Sequence, residues 1–413
     1  MTMTAAPASP RIVPAPTGSP RHGAGFWLIA ATFLVAMAFS TVPTPLYPIY
    51  QAVDGFSPVT VTVVFAVYAV GVVTSLLLAG HVSDWAGRRR VLIPALGLEA
   101  AAAVLFLAWP ALPGLLVARF LTGLGVGMIT ATATAYLLEL HAAHRPGAGR
   151  GRFELISAPA NLGGLGAGTL VAGALAQFVT APLRTPYLVF LVLLLLGMAA
   201  VALSPETVAR PHRRPAYRPQ RIRVAAADRP AYAASALAAF TAFAVFGLFT
   251  SLAPSFVAGA LHHPGRLLAG VVVFVVFGAA AAAQASSNGI APARRLPLGL
   301  AAQATGLVVL GAGMVLPSLA LFLIGGGVAG AGAGLLFKSA VGTITATAAP
   351  EVRGEALAGL FLIAYLGLIG PALGLGIATQ FVTATTAMLG FSAILLALLA
   401  ATATIFVAFS RKG

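Results

Sequence analysis

Cysteine is missing from this chain of 413 residues, and charged residues make up only 8% of it. The absence of cysteine excludes disulfides and thiolate-ligated metal sites. Only nine residues are Asp or Glu, and the polar residues show no paired carboxylates, no nucleophile with a base and no metal-ligand cluster. We therefore expect a protein that is not an enzyme and that uses no cofactor and no metal.

Apolar residues, in contrast, are abundant. They make up 59% of the chain, and the mean hydropathy is +0.98. A soluble domain could not hide this much apolar surface in one core. Mostly apolar runs of about 20 residues recur along the chain, the length of a bilayer-spanning helix, and they are too long for the strands of a β-barrel. The sequence predicts an all-α polytopic membrane protein with twelve helices, at 25–47, 58–79, 91–109, 114–138, 153–178, 186–204, 231–257, 267–289, 296–316, 319–346, 355–381 and 385–409.

Polar segments divide these helices into two sets of six. We predict a disordered tail, a first bundle, a basic linker, a second bundle and a short tail, at 1–24, 25–204, 205–230, 231–409 and 410–413. The stretch ANLGGLGAGTLVAGALAQFVT in helix 5 is echoed by AYLGLIGPALGLGIATQFVT in helix 11. This echo favours an internal repeat, an arrangement common in transporters.

Most of the 24 Lys and Arg residues fall on one side of the predicted membrane, the side of both termini. Positively charged loops stay on the cytoplasmic side, so we expect cytoplasmic termini in a plasma (inner) membrane. The net charge of +15 then reports topology, and we expect a lipid bilayer as the surroundings and no nucleic acid as a partner.

The most charged short passage is GHVSDWAGRRRVL, residues 80–92. Its Gly80, Asp84, Gly87, Arg88 and Arg89 reproduce the signature G-x-x-x-D-x-x-G-R-[KR], and the chain resembles the major facilitator superfamily in this motif. TPLYPIYQ, the segment from Arg119 to Gly127 and the PET after helix 6 are also similar. The resemblance implies two six-helix bundles that rock about a central site and expose it alternately to each side.

Asp84 is predicted near the C-terminal end of helix 2, where the helix dipole disfavours an anion. Arg88, about one turn further on, can compensate it, and the resemblance adds the N-terminus of helix 11 and Glu139 at the inner end of helix 4. Gly80 is expected to allow close helix approach and Gly87 to permit the turn. We interpret the passage as a conformational latch; the alternative is a positively charged anchor on the cytoplasmic side.

Arg119 lies inside predicted helix 4, on one face with Gly123 and Gly127. An Arg within the hydrocarbon is costly and is a functional candidate, and the resemblance places it at the central cavity. The alternative is an Arg whose head reaches the outer interface. The glycines, although they form a GLGVG string, lie inside a hydrophobic helix and indicate close helix packing rather than a dinucleotide-binding loop.

Lys338 continues a four-residue ladder of Gly326, Gly330 and Gly334 in helix 10. We expect it to face the central cavity and to contact substrate or a carboxylate. Glu99 is the acid that lies well inside a predicted helix; it is a candidate proton-binding group, because a carboxyl out of water favours its neutral form. A structural partner for a neighbouring polar group is the equally good alternative.

Weaker candidates for substrate contact are Tyr47, Tyr68, Asn161, Gln284 and Gln303, and for each of them packing or interhelical hydrogen bonding is the favoured alternative. Helix-packing roles are expected for Gly163, Gly164, Gly370 and Pro371. The antiporter signature G-P-x-x-G-G of the resembled family is imperfect in helix 5. His141, His144, His262 and His263 are placed in loops and receive no role.

The leading hypothesis is proton-coupled export of small neutral or anionic organic compounds by a monomer. The absence of an acid in helix 1 and the basic residues inside the membrane argue against cationic substrates. Two alternatives stay open: proton-coupled uptake of a metabolite, and a transporter-like sensor that binds a ligand without moving it.

Overall fold

The computed structural model describes residues 19–80, 82–149, 151–208, 229–349 and 352–410. Within these residues, twelve helices are long and apolar enough to cross a membrane, which confirms the predicted class. We label them α1 (Pro20–Asp54), α2 (Pro58–Ala79), α3 (Arg88–Ala108), α4 (Leu112–His144), α5 (Gly151–Phe178), α6 (Thr185–Leu203), α7 (Arg229–Ser251), α8 (Arg266–Gly289), α9 (Pro292–Val315), α10 (Leu319–Thr347), α11 (Arg353–Ala378) and α12 (Ala384–Ala408). Most of the predicted tails and of the basic linker lies outside the described residues.

The start of α1 differs from the prediction. The helix begins at Pro20, after an extended Ser19, so residues 20–24 are helical although they were predicted to belong to the tail. Proline suits a first helical turn because its missing N–H has no partner there in any case. After Thr41 the helix is interrupted at Val42 and Pro43, and it resumes as a short turn and a final helix that ends before Gly55.

Helix α4 is longer than predicted and continues to His144. Its 33 residues correspond to a length of roughly 50 Å, which exceeds the roughly 30 Å of a hydrocarbon core. The last turns of α4 therefore project beyond the hydrocarbon. The prediction that His141 and His144 lie in a loop is wrong, and Glu139 stands on a rigid helix.

The helices form two pseudo-symmetric six-helix bundles. In the first bundle α1 packs on α4, α5 and α6, α2 packs on α4, and α3 packs on α4 and α6. The second bundle repeats each of these contacts six helices later, with α7 in the place of α1. The bundles meet along two seams, one between α5 and α8 and the other between α2 and α11. The pseudo-symmetry relates these seams, because α11 is the counterpart of α5 and α8 is the counterpart of α2.

Two faces of the molecule are named by this topology. The basic face is the end at which the odd-numbered helices begin, and it carries Arg88, Arg152 and Arg353. The opposite face is the end at which the odd-numbered helices finish, and it carries Gln51 and Arg266.

Close helix packing depends on small residues, because lipid gives helices no hydrophobic reason to associate. A side chain on Gly123 would collide with the Tyr68 carbonyl oxygen, and one on Gly127 would meet Ser75. Helix α4 is thus pressed against α2. In the second bundle Gly330 and Gly334 lie in the same way against the backbone of Val276 and Ala280 in α8.

Two other glycines do not pack as predicted. Gly80 ends α2, and the atoms near it belong to Leu76 of its own helix, so it mediates no helix approach. Gly370 has open space beside it, one residue before Pro371 within α11, whereas Gly163 is in ordinary van der Waals contact with Ala281 of α8. Gly164, in contrast, lies tightly against Leu34 in α1. Glycine content alone does not reveal which side of a helix meets a neighbour.

Candidate functional site

A cavity lies between the two bundles. Helices α1, α2, α4 and α5 contribute to it from the first bundle, and α7, α8, α10 and α11 from the second. Among the described lining residues Arg119 is the charged one, and none is acidic.

Arg119 is held where three helices meet. The residue is 1% exposed; its Nη1 donates to the Ser40 carbonyl oxygen at 2.6 Å, and its guanidinium lies 4.3 Å from the centre of the Tyr68 ring. No carboxylate in the described part of the chain forms an ion pair with it. The Nε–H is buried and has no hydrogen-bond partner. The site therefore contains a buried cation with an unused donor.

The second bundle supplies an aromatic wall opposite this cation. Phe243 in α7 is the centre of the wall, with ring centroids 5.0 Å from Phe337 and 5.4 Å from Tyr365. Phe246 stacks on Phe277 at 4.6 Å. Sequence reasoning missed these residues, because an aromatic side chain facing a cavity and one facing lipid look alike in an apolar helix.

Three of the five weaker candidates for substrate contact line the cavity: Tyr68, Asn161 and Gln284. Asn161 lies in a π-helical turn, Pro159–Gly163, that interrupts α5. Proline lacks the N–H needed by a regular helix, and such turns are frequent at functional sites. Of the other two, Gln303 donates to the Thr241 carbonyl oxygen at 2.8 Å and joins α9 to α7, and the Tyr47 hydroxyl is buried without a hydrogen-bond partner.

Glu99 is fully buried but is not among the residues that line the cavity. Its carboxyl packs against Gly125, on the side of α4 away from α2, and neither carboxyl oxygen has a hydrogen-bond partner. The alternative was that Glu99 is a structural partner for a neighbouring polar group. Within the described residues, no hydrogen bond supports it.

Lys338 does not line the cavity, contrary to the prediction. The glycine ladder before it packs on α8, so Lys338 points to the end of that helix, where Nζ contacts the Gln284 carbonyl oxygen at 2.8 Å and the Asn288 side chain. Its ammonium also pairs with Glu154 of α5 at 3.1 Å. The expected carboxylate partner thus comes from the other bundle, and the pair bridges the two bundles at the basic face.

The predicted latch forms a network around Arg88. Its side chain is 7% exposed and binds Asp84 at 2.7 Å, while Glu139 takes a second pair of bonds, from Nε at 3.2 Å and Nη2 at 2.7 Å. Glu139 therefore pairs with Arg88 rather than with Asp84. Gly87 has a φ of +106°, a conformation that L side chains rarely adopt, and it turns the chain into α3.

Three residues of this network were not predicted from the sequence. Glu206, after α6, accepts hydrogen bonds from the backbone N–H groups of Arg88 and Arg89 at 2.9 and 3.2 Å, which places an anion at the N-terminus of α3. Ser83 accepts from Arg88, and Thr207 donates to Glu139. Glu206 belongs to the PET segment noted above. Because the chain has only nine acidic residues, an acid beside the end of a helix could have marked it as a candidate.

The side chain of Asp84 is 65% exposed, and Arg88 is its ion-pair partner among the described residues. The partnership with the N-terminus of α11 that the family resemblance implied is not formed there: Arg353 donates to its own Ala348 carbonyl oxygen, and one oxygen of Glu355 is buried without a partner. The ion pairs around Arg88 are formed within the first bundle, and among the described residues they are not joined to α11.

Several contacts join the bundles at the opposite face. Ser255 lies in the short helix Ala253–Gly259 that follows α7, and it donates to Gln51 near the end of α1 at 2.9 Å. Arg266 donates through its backbone N–H to Gln177 at 3.0 Å and through Nη1 to the Ala176 carbonyl oxygen at 2.9 Å. Gly376 lies tightly against Thr62. Both seams are therefore tied together at this face.

Two related helical bundles around one central cavity are the architecture of membrane transporters in which both bundles contribute to one substrate site. The family model of the Major Facilitator Superfamily matches residues 28–310. The chain belongs to the major facilitator superfamily, a class of secondary transporters. Its fold is similar to that of the human organic anion transporter MFSD10 (TETRAN), with a TM-score of 0.68 at 15% identity over 93% of this chain and 100% of that one. A comparison with curated proteins gives no match.

Proposed function

We propose that this protein exports small neutral or anionic organic compounds in exchange for protons, by alternating access. The observation that carries this proposal is the cavity between the bundles, whose one charged lining residue in the described chain is the buried Arg119. A cationic substrate would meet a like charge there with no carboxylate to offset it. The human protein of similar fold is an organic anion transporter, which agrees with this choice of substrate.

The moving units of the proposal are the bundles at 25–204 and 231–409. Contacts at the opposite face, such as Ser255 with Gln51, support a state in which that face is closed. The exposed Asp84, unjoined to α11, fits the same state. In the reverse state Asp84 would engage the second bundle and the contacts of the opposite face would separate.

Proton coupling is assigned to Glu99. It is fully buried, its oxygens have no partners, and it lies against α4, the helix that carries Arg119. A change in the packing of α4 between states would alter the access of water to Glu99. Helix α4 would then connect the proton site at Glu99 to the substrate cavity, which Glu99 does not line.

The basic face is proposed to lie in the cytoplasm of a bacterial inner membrane, with the protein acting as a monomer. The concentration of arginines in α3, α5 and the loops at that face supports this orientation. The runner-up function, uptake of a metabolite, needs the same fold and cavity. A sensor that does not transport would bind ligand without moving it.

Reconstituted vesicles test the proposal. Protein inserted in a known orientation is given a pH gradient and a panel of labelled compounds, and compound movement and internal pH are followed together. Export predicts that compounds enter vesicles whose exterior corresponds to the basic face as protons leave. Movement of compound and proton in the same direction would establish uptake, and saturable binding without movement would establish a sensor.

A further inference from the structure

The unused donor of Arg119 indicates which chemical group a ligand brings to the cavity. One face of the guanidinium is covered by Tyr68, and Nη1 is held by the Ser40 carbonyl oxygen at 2.6 Å. The Nε–H is buried without a partner, and it belongs to the side edge of the guanidinium, the edge that pairs with two oxygens of a carboxylate. Arg119 is one of the residues that line the cavity. A buried donor of a charged group is costly when it has no partner. A carboxylate at this edge would remove that cost.

The charge balance limits the ligand to one negative charge. Arg119 is the charged side chain among the described lining residues, and no protein carboxylate pairs with it. One carboxylate would make the filled cavity neutral. A second would sit within the membrane region without a counter-charge, which is strongly disfavoured.

The aromatic wall indicates what the rest of the ligand is. The ring centroids around Phe243 are separated by 5.0 to 5.8 Å in edge-on and tilted arrangements, within the range in which aromatic rings attract one another beyond simple burial. A planar ring entering this space extends the same pattern of contacts. A saturated ring of equal size gains burial but not the ring-to-ring attraction.

We infer that the cavity selects small aromatic monocarboxylates, an inference that rests on the proposed transport function. The carboxylate binds Arg119 of the first bundle, and the ring packs against Phe243 and Phe246 of the second. The two recognition elements belong to different bundles. The substrate is therefore held completely only when both bundles are close to it, and it links their movements.

Binding to the full-length protein in lipid nanodiscs tests the inference. Labelled naphthoate is bound by equilibrium dialysis and displaced by three relatives: decahydronaphthoate, which lacks the rings, naphthamide, which lacks the charge, and naphthalenedicarboxylate, which has two charges. Naphthoate should bind tightest. Decahydronaphthoate should bind about two- to tenfold more weakly, and naphthamide and the dicarboxylate at least about tenfold more weakly.

Variants locate the two contacts. Arg119→Gln should reduce naphthoate affinity to that of naphthamide, while Arg119→Lys should retain part of the difference because the charge is kept. Phe243→Leu should remove the preference for naphthoate over decahydronaphthoate. Phe381→Leu is the matched control, because Phe381 is 82% exposed and should leave every affinity unchanged.

The ligand series measured on the unmodified protein tests the inference even if a variant fails to insert. Naphthamide or naphthalenedicarboxylate binding as tightly as naphthoate would overturn the inference, as would equal loss of the acid and the amide in Arg119→Gln. If other compounds are transported while this series shows no selectivity, the substrate class is wrong and the transport function stands. If the series shows the expected selectivity but no compound crosses the membrane, the binding inference holds and the transport function is wrong.

Discussion

Asp84→Asn should separate the role of the latch in transport from its role in stability. The substitution removes one negative charge at the basic face and keeps nearly the same shape. We expect a correctly inserted protein of almost unchanged stability whose transport is at least about tenfold slower, because the charge is needed in the state in which the basic face closes.

The expected magnitudes follow from the contacts. Asp84 is 65% exposed and has one ion pair, with Arg88; such exposed pairs contribute about 0.2 to 1 kcal/mol, and an amide oxygen can still accept from the guanidinium. Glu139 takes two bonds from the same nearly buried Arg88. Hydrogen bonds to charged groups contribute about 1.5 to 3 kcal/mol, so that Glu139→Gln should cost about 1 to 2 kcal/mol after allowance for its partial exposure. A tenfold loss of rate corresponds to about 1.4 kcal/mol of activation free energy.

The assay pairs two measurements on each protein. Thermal unfolding in detergent reports stability, and initial rates in vesicles under a fixed pH gradient report turnover. Asp54→Asn is the control, because Asp54 is an exposed acid at the opposite face and should change neither quantity. Glu139→Gln should lower stability more than Asp84→Asn does.

One result would refute the reasoning. If Asp84→Asn is inserted normally and transports at the unmodified rate, Asp84 takes no part in closing the basic face. The arginines that follow it would then serve as an anchor at the inner leaflet, which is the alternative that the sequence left open.

Three further predictions concern Glu99, the pair at the basic face and helix packing. Glu99→Gln should leave thermal stability unchanged or higher, because it supplies a neutral group where neither oxygen has a partner, and it should abolish dependence on the pH gradient while substrate exchange continues; unchanged pH dependence would reassign Glu99 to packing. Lys338→Met and Glu154→Gln should each alter transport rates, and the double variant should be no worse than either single one, since both remove the same bond; additive effects in this cycle of rates would contradict a direct pair. Gly123→Ala should lower the free energy of unfolding by about 1 to 3 kcal/mol, because the added methyl group collides with the Tyr68 carbonyl oxygen. Gly342→Ala is the control, because Gly342 faces open space, and it should leave the free energy of unfolding unchanged or raise it by up to about 1 kcal/mol. Equal effects in unfolding experiments would show that α2 and α4 are not tightly packed.

Local sequence was sufficient for the features that depend on neighbours in the chain. The spans follow from runs of apolar residues, since a helix must satisfy its own backbone groups in lipid. The contact of Asp84 with Arg88 follows from a separation of four residues. The position of Arg119 inside a span marked it as a candidate because a charge in hydrocarbon is costly.

The positions of Lys338 and Glu99 needed the tertiary structure. The glycine ladder before Lys338 indicated a packed helix face, but only the fold shows that the face meets α8 and that Glu154 of the other bundle completes the contact. The sequence likewise predicted that Glu99 lies inside a helix. That it lies against Gly125, away from the cavity, depends on the rotation of α3 and α4 relative to each other.

The cavity itself was decided by the assembly of the bundles. Phe243 lines the cavity, whereas Phe274 of α8 is 36% exposed and lies beside Gly166 of α5, yet both are phenylalanines in uniformly apolar helices. A soluble protein would mark the difference with polar residues on its outer face. In a bilayer the lipid is as apolar as the protein interior, so composition specifies that a helix spans the membrane, while helix-to-helix packing decides which side faces the ligand.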